Sequence, residues 1–388
     1  MSKLDELVKE LCPNGVEYKM VGEVCNIYKG KQLNKDLLTE KGMFPAYNGG
    51  ISHSGFTDNY NVSENTIIIS QGGANAGFVN FVTQKFWANA HCYYCKPNIL
   101  LVLNRYLYHF FKMNQNRLME VKHGAGIPAL NLNKITELKI PIPPLPIQHE
   151  IVRILDNFTE LTAELTAELT ARKKQYEYYR DSLLLNNKNH NSVPLKTVVK
   201  KSCSGGTPKK GNGEFYTNGT VPWLRTQDVK FNEIFEINSF ITEEAVKKTS
   251  AKWIPANCVI VAISGATAGR CAINKIPTTT NQHCYNMEID DTKALYKYIY
   301  YCVCSQYEEL ISRKQGARGD LNSILIMGVE VPLPSLHEQQ RIVDILDRFD
   351  TFCNDITQGL PAEIEARQKQ YEYYRDKLLT FQKAELEV

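Results

Sequence analysis

The sequence predicts an α+β fold in which two mixed α/β domains are separated by two long helices, the helices forming an antiparallel coiled coil and the chain carrying an internal pseudo-two-fold duplication. Three observations predict it. The stretch IPIPPLPIQHEIVRILDNFTELTAELTAELTARKKQYEYYRDSLL, from Ile140 to Leu184, has a second version from Val331 to Leu379. Pro141, Pro143, Leu145, Gln148, Ile151, Ile154, Asp156 and Phe158 reappear 191 positions later as Pro332, Pro334, Leu336, Gln339, Ile342, Ile345, Asp347 and Phe349. Within each version, apolar residues recur at steps of three and four, as in Ile151, Ile154, Phe158, Leu161 and Leu165, which is the seam of a helix that lies against a partner. Outside the helices the repetition is looser: TIIISQGGANAGFVNF (Thr66 to Phe81) precedes CVIVAISGATAGRCAI (Cys258 to Ile273) by 192 positions, with Gly73, Ala74, Ala76 and Gly77 matching Gly265, Ala266, Ala268 and Gly269.

Taken in order, the chain starts with MSKLDELVKEL, a charged amphipathic segment without a signal-peptide core. No apolar run approaches the ~18 residues of a membrane span, so a soluble, cytoplasmic protein is expected. The first domain is expected over residues 1–140, the first spacer helix over 141–188, the second domain over 189–331 and the second spacer over 332–388. Within the domains, IIIS and VIVAIS are apolar, β-branched runs that end in glycine-rich turns, as buried strands delivering loops would. FWANAHCYYC from Phe86 matches TTTNQHCYNM from Thr278 at the same offset, and NRYLYHFF and YKYIYYCV each read as a short helix. HGAGIPALN from His123 and QGARGDLN from Gln315 follow. Pro141, Pro143, Pro144 and Pro146 forbid helix, so the first long helix should run from about Gln148 to Leu184, roughly 55 Å at 1.5 Å per residue. The polar run NNKNHNS from Asn186 suits a boundary. The later RKKQYEYYRD from Arg172 recurs as RQKQYEYYRD from Arg367, four residues further along than the earlier offset. Gly359-Leu360-Pro361, between Phe349 and Arg367 where the four extra residues lie, should break or kink the second spacer after Gln358, with Pro361 restarting it.

Composition sets bounds. The 388 residues suit two or three domains and can bury sizeable cores. A net charge of +3 and pI of about 8.2 are compatible with nucleic acid but short of the pI above roughly 9 that would argue for it alone. Eleven cysteines without a regular framework are expected to be reduced thiols.

Few motifs carry chemistry. SGATAG and QGGANAG resemble phosphate cradles but lack the Gly-Lys-Ser/Thr ending of a P-loop and the GxGxxG of a dinucleotide fold, so they read as structural turns. His91-Cys92-x-x-Cys95 has metal-ligand spacing, yet Met287 stands at the place of Cys95 in the second half and no second CxxC exists; no metal site is expected. The YEYYRD segments could stack on bases, but at helical spacing they read as packing residues. No Asn/Asp-Pro-Pro-Tyr/Phe methyltransferase motif and no cofactor loop between strand and helix is present, which points to a chain that binds and positions.

Two differing domains alternating with helices that carry PxPxxxxQ, RIVDILD, the tandem TAEL (Thr162 to Leu165, Thr166 to Leu169) and RQKQYEYYRD make the whole chain resemble the specificity subunit of type I restriction-modification enzymes, in the subgroup with a TAEL spacer repeat. The resemblance implies that each variable domain is a target-recognition domain reading one half of an asymmetric, bipartite site in double-stranded DNA. It also implies that the helices set the gap and dock two methyltransferase subunits, joined by two translocase-nuclease subunits. The chain itself would then be non-catalytic and bind no cofactor, with S-adenosylmethionine, ATP and Mg on the partners. Candidate DNA-binding residues are the loop donors and acceptors: Asn48, Ser70, Gln71, Asn75, His91 and His123 in half one, and Arg225, Thr226, Gln227, Ser264, Thr267, Arg270, His283 and Arg318 in half two. For His91 and His283, at equivalent positions, a fold-maintaining role is the stronger reading. Two rivals remain: a protein-interaction scaffold that reads peptide or glycan, which predicts no DNA affinity, and a self-contained divergent DNA methyltransferase, which predicts activity from the chain alone.

Overall fold

The computed structural model describes residues 3–121, 128–184, 191–313, 320–355 and 357–384. The chain forms two compact units, one made of Met1–Thr166 with Glu363–Val388 and the other of Ala167–Ala362. The first long helix, Leu145–Leu184, passes from one to the other, and the second spacer is two helices, Leu336–Asn354 and Leu360–Leu378.

In the first unit an antiparallel sheet runs in the order Cys25–Lys29, Cys92–Pro97, Thr66–Ser70, Val79–Val82. Thr66–Ser70 is buried along its whole length, as its apolar run requires. A smaller sheet holds Phe44–Tyr47 between Gly55–Thr57 and Trp87–Ala88. The helix Asn104–Met113 buries Tyr106, Leu107, Phe110 and Phe111 in a core shared with Ile147, Ile151 and Leu155 of the long helix and with Tyr371 and Leu379 from the end of the chain. The last helix runs antiparallel to the first: its end is tied to Tyr18, whose hydroxyl donates to the Phe381 carbonyl at 2.9 Å, and Tyr18 pairs with Pro141 at the entry to the long helix.

The second unit repeats the plan on its own chain. Its sheet runs Val199–Ser204, Cys284–Ile289, Val259–Ala262, Cys271–Asn274, with Asn232–Ile234 added in parallel at the edge. A second sheet is built on Val221–Leu224 and Thr278–Thr280, again in parallel. The helix Tyr296–Ser305 buries Tyr298, Ile299 and Tyr301 against Ile342, Val343 and Leu346.

The repeated residues of the spacers are the joints between helix and domain. Gln148 is fully buried: its Oε1 accepts from the Leu103 amide at 2.8 Å, and its Nε2 donates to the carbonyls of Leu101 (2.9 Å) and Pro143 (2.8 Å). Gln339 does the same with Leu295 (2.9 Å), Lys293 (3.3 Å) and Pro334 (2.9 Å). Tyr106 and Tyr298 donate to the carbonyls of Pro141 and Pro332. Asp156 is gripped by Arg105 and by His109 Nε2 at 2.8 Å, Asp347 by Lys297 at 2.7 Å and Tyr301 at 2.6 Å. Between the helices, Phe158 stacks on Tyr374 at 5.4 Å, and the equivalent Phe349 stacks on Tyr179 at 5.8 Å. Conserving these joints while loops diverge is what the sequence repeat records.

Two expectations are corrected. The long helix begins at Leu145 and takes Pro146 into its first turn, where a missing N–H costs nothing because the first-turn amides have no intrahelical acceptor. The second spacer breaks after Asn354, before the expected Gln358. Asp355 Oδ1 accepts from the Thr357 amide (2.7 Å), the Thr357 hydroxyl (2.6 Å) and the Gln358 amide (3.3 Å), an Asx turn that competes with helix. Gly359 then packs so closely that a Cβ there would lie 2.6 Å from the Thr351 carbonyl oxygen.

The His109 joint makes one pH prediction. Its Nε2 faces a carboxylate, so the proton sits there and Nδ1 accepts from Tyr371 at 2.9 Å. Burial pushes the imidazole below its ordinary value, the bond to Asp156 opposes this in part, and Arg105 and Arg375 add repulsion. Burial raises the Asp156 carboxyl, but hydrogen bonds from His109 and Arg105 outweigh it and hold the group low. Both groups bind protons more weakly folded than unfolded. The stability they contribute is therefore full above about pH 6.5 and declines as pH falls below it, His109 first. His109→Tyr, the residue found at position 301, should flatten urea-unfolding stability between about pH 7 and pH 5; an unchanged slope would show that His109 is not its source.

Candidate nucleic-acid interface

In the first unit three loops meet at the carboxyl end of Thr66–Ser70. The Gln71 amide donates to the His91 carbonyl at 2.8 Å, the Leu130 amide to the Gln71 carbonyl at 2.7 Å, and the Gly73 amide to the Pro128 carbonyl at 2.9 Å. The turn after Phe44–Tyr47 closes the group: a Cβ on Gly49, whose φ is +77°, would lie 2.9 Å from both the Gly72 and His91 carbonyl oxygens. Asn48, Gln71, Asn75 and His91 are thus brought onto one surface, Asn48 and His91 exposed, Gln71 and Asn75 half-buried. Ser70 is buried beneath it, its hydroxyl 3.5 Å from the Gly50 carbonyl. His123 lies outside the described residues.

The second unit builds the same framework. The Ile263 amide donates to the His283 carbonyl at 2.9 Å and the Leu321 amide to the Ile263 carbonyl at 2.8 Å. The Asn281 amide donates to Leu224, as Asn89 does to Tyr47, each at 2.9 Å, so Arg225-Thr226-Gln227 leave their strand where Asn48 leaves its own. Asp228 Oδ2 accepts from the Arg225 amide at 2.9 Å and fixes that turn. Ser264, Thr267 and Arg270 are half-buried in and beside the 3-10 turn Gly265–Thr267, and Gln227 and His283 are exposed. Arg225 Nε is enclosed without a hydrogen-bond partner. Arg318 lies outside the described residues.

The two histidines do structural work through their carbonyls, which take the loop amides, while both rings remain exposed. Gly77 and Gly269 close the loops at φ of +94° and +90°, their amides donating to Ser70 and Ala262 at 2.8 Å, so these sequences are turns. Burial pushes the thiols of Cys92 and Cys284 up to about 12, which keeps them protonated at neutral pH. Among the described residues, no group of three or more His, Cys, Asp and Glu is placed to hold a metal ion, and no helix is long and apolar enough to cross a membrane. All eleven cysteines are free.

Sequence reasoning missed three residues of these loops. Gln282 is exposed beside His283, their side-chain nitrogens 3.2 Å apart. Asp228 shapes the Arg225 turn, and exposed His53 packs 4.6 Å from Phe56 and 6.3 Å from Tyr47. Adjacency to His283 was the available signal for the first, and the Arg-x-x-Asp spacing for the second.

One framework is thus built twice, with two different sets of exposed side chains. A family model described as the type I restriction modification DNA specificity domain matches residues 13–172 and again 187–366, and the chain belongs to that family. It is 37% identical to the Escherichia coli type I restriction enzyme EcoR124I/EcoR124II specificity subunit, the alignment covering 99% of each protein. A putative type I restriction enzyme specificity subunit of Haemophilus influenzae is 33% identical, with 97% of this chain and 98% of the relative covered. The fold is also that of the crystal structure of a type I restriction-modification S subunit from M. genitalium, at 19% identity and a TM-score of 0.62 over 94% of this chain and 96% of the other.

Proposed function

We propose that this chain is the DNA-reading component of a type I restriction-modification assembly, each loop cluster reading one half of an asymmetric, bipartite site and the long helices setting the gap. The observation that carries this is the contrast between framework and surface. Backbone bonds at equivalent positions hold both clusters in one shape, while Asn48, Gln71, Asn75 and His91 in one stand where the other has Arg225, Ile263, Thr267 and His283, and the second cluster adds Gln227 and Arg270. Asn and Gln pair bidentately with adenine and Arg with guanine, so the two halves suit different bases. Residues 1–140 and 189–331 would be the target-recognition domains, and 141–188 and 332–388 the spacers. The relatives are named as specificity subunits; on that ground two methyltransferase subunits, and two translocase-nuclease subunits, are the proposed partners. Those partners would carry S-adenosylmethionine, ATP and Mg.

Arg225→Ala or Gln227→Ala tests the reading. In a complex reconstituted with its methyltransferase partner, base-resolution methylation mapping should find relaxed preference at one or two positions of a single half-site, about 1–3 kcal/mol of lost discrimination. An unchanged site, or one altered in both halves, would contradict it.

A further inference from the structure

The second unit has a cleft beside the helix Leu336–Asn354. Two adjoining cavities of about 460 and 360 Å³ share Phe231, Tyr300, Asp350 and Asn354. Six carboxylates line them, Glu177, Glu233, Glu308, Asp347, Asp350 and Asp355, against two cations, Lys297 and Arg180. Arg180 is already paired with Asp181 at 2.8 Å and Lys297 with Asp347 at 2.7 Å. Glu233 Oε1 is enclosed and receives no hydrogen bond, only lysine ammonium groups at 3.4 Å (Lys297) and 3.8 Å (Lys275). Burial, with the nearby Asp347 and Glu233 charges, raises the Asp350 carboxyl against the opposing bond from Asn354. The rim is aromatic: Phe235 is 61% exposed and Phe231 40%.

The first unit shows what such a place accepts. There the guanidinium of its own Arg105 lies 4.5 Å from the centre of the Phe81 ring and 4.7 Å from that of Tyr108, and it binds Asp156 through Nε at 3.1 and 3.2 Å. The equivalent positions in the second unit carry Lys297, Ile273, Tyr300 and Asp347. A compact ammonium replaces the planar fork, one flanking ring is gone, and Asp350 stands where the first unit has Thr159. Asp350, Glu177 and Glu308, with the rings of Phe231 and Tyr300, line the open space that remains, a setting of guanidinium chemistry.

We propose that this cleft receives an arginine side chain presented by a partner protein. Nucleic acid is the wrong occupant, because its phosphates would meet a surplus of carboxylates. The proposal rests on the reading of the chain as one component of an assembly and assigns it a protein-facing site apart from the loop clusters.

The test titrates the full chain with N-acetyl-arginine amide, followed by NMR, against the citrulline and lysine amides. The arginine probe should bind about tenfold more tightly than either, and the preference should disappear in Asp350→Asn. Since Asp350 is an unfavourably placed charge, that variant should unfold no more easily than the parent; Phe235→Ser, on the exposed rim, should weaken binding independently. Equal binding of arginine and citrulline probes, or of arginine and lysine probes, would overturn the proposal, as would a preference that survives both variants. The titration contains neither DNA nor partner. Failure to assemble with a methyltransferase subunit despite normal arginine binding would therefore count against the assembly reading, and the converse against the cleft alone.

Discussion

Gln148→Leu should destabilise the first unit by about 3–5 kcal/mol, among the largest losses any single spacer substitution can cause. Gln148 is fully buried and serves one amide and two carbonyls with its three bonds. Leucine has similar bulk but leaves Leu103 N–H and the two carbonyls without partners, and each buried polar group left unsatisfied costs about 1–3 kcal/mol. Gln339→Leu should do the same in the second unit through Leu295, Lys293 and Pro334. Arg341→Ala, which removes an exposed pair with Glu338, should change stability by no more than about 0.5 kcal/mol. Urea denaturation of the three variants checks this; a glutamine variant as stable as the arginine control would show that the clamp is not what joins helix to domain.

Adding one TAEL unit after Leu169 should lengthen the gap between the half-sites by about one base pair, and deleting one should shorten it equally. Four residues advance a helix by about 6 Å and turn it by about 400°, or 40° net, so the apolar seam nearly keeps its register. The region suits such a change. Leu161, Leu165 and Leu169 are only half-buried, and the Thr162 and Thr166 hydroxyls donate back to the carbonyls of Phe158 (2.8 Å) and Thr162 (2.7 Å), so each unit is bonded within its own helix. A full 6 Å displacement would approach two base pairs at about 3.4 Å each, and absorption by curvature reduces it toward one. Two inserted residues should instead turn the helix by about 200° and expose the seam. Methylation mapping of the three variants should return unchanged half-sites in the four-residue ones; an unchanged gap would show that the helix is not the ruler.

Much of this architecture was legible because its signals are local or repeated. The three-and-four spacing of Ile151, Ile154 and Phe158 marked the long helix, and the apolar run at Thr66–Ser70 marked a buried strand. The equivalence of Gln148 with Gln339 and of Asp156 with Asp347 marked positions under one constraint, although only the packing reveals that the constraint is a clamp. What could not be read depended on neighbours far along the chain. The approach of Gly49 to His91 and of Leu130 to Gln71 follows from strand order, which pairwise spacing does not encode. It therefore decided which candidate residues share a surface and placed Ser70 beneath it. The end of Leu336–Asn354 departs from the expectation for a local reason: Gly359 and Pro361 are strong breakers, but Asp355, whose side chain captures two following amides, ends the helix before them.

Domains that read their half-sites independently should be exchangeable one at a time. Replacing residues 20–135 with the corresponding stretch of another family member, followed by base-resolution mapping of methylated adenines, tests this most directly. One half of the recognised site should change while the other half and the gap persist; a change in both halves together would contradict independent reading.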